Sequence, residues 1–126
     1  MARTTFSGPV RSVAGFEVAA GTPVITPAGE LRVGAAGTPI TQMRVYVPSL
    51  TPTSVAAATV AQQTFSVPGL AVEDIVVVNG PAPGNATGIA NVRVSATDTL
   101  AIAFVNPTAG ALVPTAGVYT VLAVRR

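Results

Sequence analysis

From Ile40 to the C-terminus, the sequence consists of short β-branched and alternating runs separated by glycine, proline and asparagine. Apolar and polar side chains alternate in several of these runs, which is the two-residue period of a half-buried strand. Turn residues recur about every ten positions, a spacing typical of all-β sandwiches and barrels. The sequence therefore predicts an all-β fold, a jelly-roll-like β-sandwich. The predicted strands cover residues 42–47, 59–67, 74–79, 89–95, 100–105 and 118–124.

Residues 1–38 show neither a helical nor a strand period, and glycine and proline recur through them. This pattern predicts an extended N-terminal arm, with a short hairpin around residues 27–30. Chain termini that pack on nothing are usually mobile, so we expect an arm this apolar to dock on a neighbouring molecule. The predicted division of the chain is an arm over residues 1–38 and a β-sandwich domain over residues 39–126.

Residues 51–61 are the one stretch that the pattern leaves ambiguous. Ser54 followed by Val-Ala-Ala-Ala is a helix-start signal, whereas the residues from Thr59 onward run into an alternating strand. We favour a loop that leads into this strand. After the strand, Pro68 and Gly69 indicate a turn in which the glycine takes a positive φ.

Two predicted strands are apolar on both faces. Residues 75–78 are four β-branched residues in a row, and residues 100–105 alternate larger apolar side chains with Ala and Val. One face of each strand can enter a core, whereas the other needs a second layer or a partner subunit. Aromatic residues make up only 5% of the chain, so the core is built mainly from small side chains. We expect self-association to supply additional burial.

The chain lacks most of the side chains on which catalysis depends. It has no His and no Cys, all seven basic residues are Arg, and only five residues are acidic. General acid–base catalysis, nucleophilic catalysis and zinc binding draw mainly on the missing types. The sequence therefore predicts no catalytic residues, no metal site and no cofactor, in a protein that is not an enzyme.

Glu73 and Asp74 are the only adjacent acidic residues. At the start of a strand, neighbouring side chains point to opposite faces, so these two carboxylates would not converge on one substrate atom. We interpret them as turn residues that open a strand. An enzyme such as a glycan hydrolase is the less favoured alternative, and turnover that is lost on changing Glu73 or Asp74 would revive it.

The charge pattern argues against nucleic-acid binding. The net charge is +2, and the arginines are scattered singly except for Arg125 and Arg126. Nucleic-acid binders usually carry clustered basic residues, often interleaved with aromatic ones. Arg93 is interpreted as a solvated strand residue, with a hydrogen bond to a neighbouring subunit as the alternative. Arg125 and Arg126 are interpreted as a solubilising terminus.

Several segments of the chain resemble a module in structural proteins of tailed bacteriophages. They are residues 60–70 (VAQQTFSVPGL), 74–79 (DIVVVN), 89–106 (IANVRVSATDTLAIAFVN) and 114–121 (PTAGVYTV). The opening at residues 4–12 (TTFSGPVRS) also resembles the start of phage head-associated proteins. Together these segments extend over most of the length of the chain, and they contain no catalytic signature.

The resemblance implies a virion component, and among such components the chain looks most like a capsid decoration (cement) protein. Decoration proteins bind the outside of the head, commonly as homotrimers, and stabilise it by bridging major capsid protein subunits. The expected partners are the major capsid protein and further copies of the chain, with no nucleic acid and no membrane. The expected location is the capsid surface of the virion, after synthesis in the cytoplasm of the bacterial host.

This hypothesis predicts two groups of contact residues. The N-terminal arm is predicted to bind the capsid, and the β-strands are predicted to form the subunit interface. The predicted capsid-binding residues are Arg3, Phe6, Val10, Arg11 and Phe16. The predicted interface residues are Val76, Val78 and Arg93.

The alternative function within the same setting is a phage head-fibre or tail-associated host-binding β-module. Such a module exposes a receptor site that is often rich in aromatic residues. The chain has only two Tyr and four Phe, and most of them fall within strand patterns. We therefore favour the decoration hypothesis.

Overall fold

The computed structural model describes residues 16–17, 23–25 and 37–126. The chain divides into two compact units, Met1–Thr41 and Gln42–Arg126. The described part of the first unit is an antiparallel pair of short strands, β1 (Phe16–Glu17) and β2 (Pro23–Ile25). The predicted hairpin at residues 27–30 lies outside the described residues. The arm boundary after residue 38 stays a prediction.

The described part of the second unit is all-β. It contains no helix, which confirms the predicted class, and residues 51–54 form a loop rather than a helix. The strands are β3 (Gln42–Tyr46), β4 (Ser49–Leu50), β5 (Thr59–Ser66), β6 (Ile75–Asn79), β7 (Gly88–Ala96), β8 (Thr99–Asn106), β9 (Gly117–Val118) and β10 (Thr120–Arg125).

These strands form two three-stranded antiparallel sheets and one short pair. Sheet I has the order β3-β10-β6, sheet II has the order β5-β8-β7, and β4 pairs with β9. The β4–β9 pair continues the β3–β10 ladder in the same register, because Ser49 pairs with Val118 as Tyr46 pairs with Val121. The Tyr119 amide donates to the Pro48 carbonyl between the two pairs, at 2.9 Å. β3 and β4 therefore pair with β10 and β9 as one continuous two-stranded ribbon, which extends beyond sheet I.

The central strand of each sheet supplies the hydrophobic core. Leu100, Ile102 and Phe104 of β8 are buried, and so are Val121 and Ala123 of β10. All five belong to one core cluster, which loop residues such as Val55 and Leu70 complete. Because side chains alternate along a strand, each sheet has one face toward this core and one face away from it.

The turn after β5 ties the two sheets together. Gly69 has a φ of 103°, as the sequence predicts, and a Cβ there would lie 2.9 Å from the Tyr46 hydroxyl. The Tyr46 hydroxyl of sheet I donates to the Gly69 carbonyl at 2.9 Å. On the other side, the Gly69 amide donates to Oδ1 of Asp98, in the β7–β8 turn of sheet II, at 2.6 Å.

Candidate interaction surface

The outer face of sheet I is lined by exposed aliphatic side chains. The register places Leu122 between Val45 and Val77, and Val124 between Met43 and Ile75. The edge-strand members are the most exposed, with Met43 at 59%, Val45 at 61%, Ile75 at 59% and Val77 at 62% of full exposure. Strands that are apolar on both faces are usually covered on both, so this sheet has an apolar face without a cover in the described unit.

The ribbon extends this apolar area past the end of β3. Val47 and Val118 are exposed at 64% and 56%, and the alternation places both on the same side as Val45 and Leu122. We call the complete set the aliphatic face. Its members are Met43, Val45, Val47, Ile75, Val77, Val118, Leu122 and Val124.

The area of the aliphatic face is close to that of the largest apolar patch on a typical monomeric protein. Its eight side chains, spaced about 4.8 Å across the strands and about 6.8 Å along them, give a flat area on the order of 250–300 Å². Monomeric proteins rarely expose a contiguous apolar patch larger than a few hundred Å², and the largest patches are often functional. The aliphatic face is therefore a candidate interaction surface of the described residues.

Among the described residues, charged groups lie only at one end of the aliphatic face. Glu73 and Arg126 are exposed at one end, two residues beyond the paired Ile75 and Val124. Thr120 lies within the face, between Leu122 and Val118, and forms an uncharged polar row with its partner Asn79. Among the described residues, no ionisable side chain falls inside the face itself, because Arg44 is on the opposite side of β3 from Val45.

The outer face of sheet II is built differently. Its central strand carries Ala101 and Ala103, and the longer polar side chains stand on the two flanking strands. Nη2 of Arg93 on β7 donates to Oε1 of Gln62 on β5 at 3.1 Å, across β8. Ala101 is only 1% exposed beneath them. The second apolar face predicted for residues 100–105 is therefore largely covered from within the chain.

The predicted interface residues fall on different sides of the sheets. Val76 and Val78 are partly buried and pack against the core, while their neighbours Ile75 and Val77 are on the aliphatic face. Arg93 is exposed on the outer face of sheet II. Among the predicted capsid-binding residues, Phe16 is in β1, and Arg3, Phe6, Val10 and Arg11 lie outside the described residues.

A partly buried ion pair joins β10 to the turn before β6, at the end of sheet I that carries Glu73 and Arg126. Nε of Arg125 lies 2.6 Å from Oδ1 of Asp74, and Nη2 lies 2.9 Å from Oδ2. The Asp74 side chain is 2% exposed and that of Arg125 is 27% exposed. The Ala71 amide also donates to Oδ2 of Asp74, at 2.8 Å. The interpretation of Arg125 as a solubilising terminal residue is therefore wrong, while Arg126 is exposed.

The ion pair with Arg125 favours the ionised form of Asp74. The hydrogen bond from Arg125 lowers the pKa of the Asp74 carboxyl below its ordinary value, against the opposing effect of burial. Asp74 lies in the turn before β6, as predicted, and its exposed neighbour Glu73 reaches Arg125 only at 3.8 Å. A carboxylate held in this way is poorly suited to donate a proton near neutral pH.

A second surface feature is an open cleft of about 430 Å³ beside the end of β6. Proline and apolar residues dominate its wall, including Pro81, Pro83, Ile89 and Pro114. The Tyr119 hydroxyl donates to the Thr115 carbonyl at 2.8 Å, and burial raises the pKa of Tyr119. The sequence shows these prolines as loop residues, but nothing in their spacing indicates that the loops meet around Tyr119.

The described residues hold no group of three or more His, Cys, Asp or Glu side chains arranged to bind a metal ion. They also include no helix long and apolar enough to cross a membrane. No family model, curated protein or solved structure matches the chain.

Proposed function

We propose that the protein is a bacteriophage capsid decoration (cement) protein, which binds the outside of the head and bridges major capsid protein subunits. The aliphatic face is the observation that carries this proposal, because the largest apolar patch of a protein often serves as an interaction surface. The resemblance of residues 60–70, 74–79, 89–106 and 114–121 to phage structural proteins supplies the setting.

The fold proposed for the β-domain is a jelly-roll-like sandwich. Core side chains from the central strands of sheet I and sheet II belong to one cluster, as they would between two packed sheets. The two sheets would then present their outer faces on opposite sides of the domain. Such an arrangement leaves the aliphatic face free for neighbouring subunits, with Arg93 on the far side.

The proposed partners are the major capsid protein and other copies of the chain, commonly three in proteins of this kind. The arm would make the capsid contacts, through Arg3, Phe6, Val10, Arg11 and Phe16. A bound arm adds many small contacts over a wide area, and it raises the effective concentration of the β-domain at the shell. The proposed location is the capsid surface of the virion, after synthesis in the host cytoplasm.

The proposed role is non-enzymatic. Its support is the composition, with no His and no Cys, together with the state of the one buried acid. Asp74 is held by Arg125 and by the Ala71 amide, which leaves Glu73 and Asp98 as the remaining acids of the β-domain. Glu73 lies 3.8 Å from Nε of Arg125, and Asp98 accepts a hydrogen bond from the Gly69 amide, so each of them has a structural contact.

The test of the proposed function is attachment to empty phage shells. Deleting residues 1–20 should weaken attachment in a co-sedimentation assay, while the circular dichroism of the β-domain stays unchanged. Purified full-length protein and shells that had been stripped of decoration are the reference. A truncated protein that binds shells as tightly as the full chain would show that the arm is not the attachment segment.

The cleft beside Tyr119 favours one alternative, a head-fibre or tail-associated host-binding β-module. Its volume of about 430 Å³ falls within the usual range for small-ligand pockets. Direct binding of purified protein to host cells, lost in a Pro83→Arg variant that fills the cleft mouth, would support this role. Shell binding without cell binding would count against it.

A further inference from the structure

We infer that the aliphatic face is a self-docking surface, on which the same face of a second copy packs sheet against sheet. This inference deepens the proposed function, since it names the occupant of the surface on which that proposal rests. The partner is a second molecule of this chain, and the contact is isologous, so each copy contributes the same residues.

The regularity of sheet I favours a second sheet as the occupant. Both ladders of β10 keep a constant register along their whole length, whereas the β7–β8 ladder of sheet II has two register shifts. A regular sheet face is complementary to another sheet that lies about 10 Å away with interdigitating side chains. A second copy always offers a face with the same row spacing.

The charges also permit two copies to meet in one orientation. The interior of the face has no ionisable side chain, so packing two copies together buries no charge. A two-fold axis that crosses the strands places the end with Glu73 and Arg126 over the end with Val47 and Val118 of the other copy. This arrangement keeps the two Arg126 side chains apart, whereas an axis along the strands would bring them together.

The area of the face sets the strength of the contact. A flat area on the order of 250–300 Å² is about a third of the 800 Å² that each partner of a long-lived complex contributes. The pair is therefore weak and reversible when the protein is free in solution. Concentrating the copies on a shell would populate it, because a tethered contact forms at a high effective concentration.

An isologous sheet pair closes at two copies. The homotrimer of the proposed function therefore needs a different, heterologous contact, and the face accounts only for two-fold association. The two contacts can be told apart by mass, because the sheet pair gives a dimer and a three-fold contact gives a trimer.

The first experiment is sedimentation equilibrium of the full chain from roughly 10 µM to 1 mM, the range in which a weak pair forms. The wild type should shift from the mass of one chain toward that of two. Val77→Lys places a charge in the face and should weaken dimerisation at least about tenfold. Val60→Lys is the matched control, because Val60 is an equally exposed valine on an edge strand of sheet II.

Three results would overturn the inference. They are a wild type that remains a single chain at about 1 mM, a Val77→Lys variant that dimerises as the wild type does, and a Val60→Lys variant that loses dimerisation equally. Circular dichroism of each variant separates loss of association from loss of folding. Shell binding is assayed separately, so a monomeric protein that still attaches to shells refutes the self-docking surface and leaves the decoration role standing.

A second experiment uses the natural absence of cysteine. Thr120 is exposed near the middle of the face, close to the expected two-fold axis, and a Thr120→Cys variant should be joined to its own counterpart by a short bis-maleimide reagent. Gln62→Cys, exposed on sheet II, should give little joined product. Equal yields from the two variants would contradict the inference and indicate random collision or a different contact.

Discussion

Sheet I and sheet II have the same plan but differ on their outer faces. Each is a three-stranded antiparallel sheet whose central strand contributes buried side chains to the core. In sheet II the outward residues of the central strand are Ala101, Ala103 and Val105, and Arg93 and Gln62 meet above the alanines. In sheet I the corresponding residues are Leu122 and Val124, flanked by further aliphatic side chains. The size of the central side chains, and the polarity of their neighbours, decide whether a face is covered internally.

The core side of a sheet should be far more sensitive to truncation than the aliphatic face. Ile102→Ala removes a fully buried side chain of β8 and should lower the free energy of unfolding by about 2–5 kcal/mol. Val77→Ala, on the exposed face of β6, should change it by less than about 0.5 kcal/mol in dilute solution. Urea unfolding of both variants measures the difference. Similar losses in the two variants would mean that the aliphatic face is buried within the folded chain.

The ion pair between Asp74 and Arg125 should make the next largest contribution to the free energy of unfolding. Asp74→Ala leaves the Ala71 amide without its acceptor and Arg125 without its carboxylate, and should cost about 1–3 kcal/mol. Asp74→Asn, which keeps the shape, is the matched variant for the charge alone. Urea unfolding at neutral pH measures both, and an Asp74→Ala variant as stable as the wild type would show that the pair does not stabilise the sheet.

The same pair gives the protein a pH dependence with a definite sign. The pKa of Asp74 is lower in the folded chain than its ordinary value of 3.8, so the stabilisation is fully present above that value. It is lost as the pH falls below 3.8 and through the folded-state pKa. The wild type should therefore lose more stability than Asp74→Asn between pH 5 and pH 2, a range of about three units. Parallel curves for the two proteins would contradict this assignment.

The turn that links the two sheets should tolerate no side chain at Gly69. Gly69→Ala forces a positive φ on a residue with a Cβ and brings that atom against the Tyr46 hydroxyl, so we expect a loss of about 1–2 kcal/mol. Gly110→Ala is the control, because nothing lies within 4 Å of a Cβ at that position. Thermal unfolding followed by circular dichroism compares them, and equal melting temperatures would contradict the strained turn.

The smallest effect on stability is expected from the hydrogen bond between Arg93 and Gln62 on the outer face of sheet II. Arg93→Ala breaks one exposed hydrogen bond and should change the free energy of unfolding by about 0.5 kcal/mol or less. It should also leave the association of the protein unchanged, since the aliphatic face is on the other sheet. A large increase in self-association would show that Arg93 and Gln62 shield an equivalent surface.

The sequence predicts the features that depend on neighbouring residues. The all-β class, the loop before β5 and the positive φ at Gly69 follow from local patterns. The strand at residues 75–78 has the second apolar face that its composition indicates. Pairing between distant strands does not follow from such patterns, so the sequence could not predict that β10 lies between β3 and β6, or that Val77 rather than Val76 is exposed.

The features that sequence reasoning missed depend on long-range contacts. Asp74 and Arg125 are 51 residues apart, and each looks like an ordinary surface charge by itself. The cover of Ala101 depends on side chains from two other strands, and the cleft depends on loops that meet around Tyr119. The sequence of residues 100–105 therefore suggests an uncovered apolar face. Only the strand register shows that side chains of the flanking strands cover part of it.

The proposed association surface of this protein is the aliphatic face of sheet I. Methyl NMR spectra recorded across a dilution series test it most directly, because every Val and Leu reports on its own surroundings. We expect the methyl signals of Val45, Val77 and Leu122 to shift with concentration while those of Val60 stay fixed. Shifts confined to Val60 and its neighbours on sheet II, or no shifts at all, would contradict it.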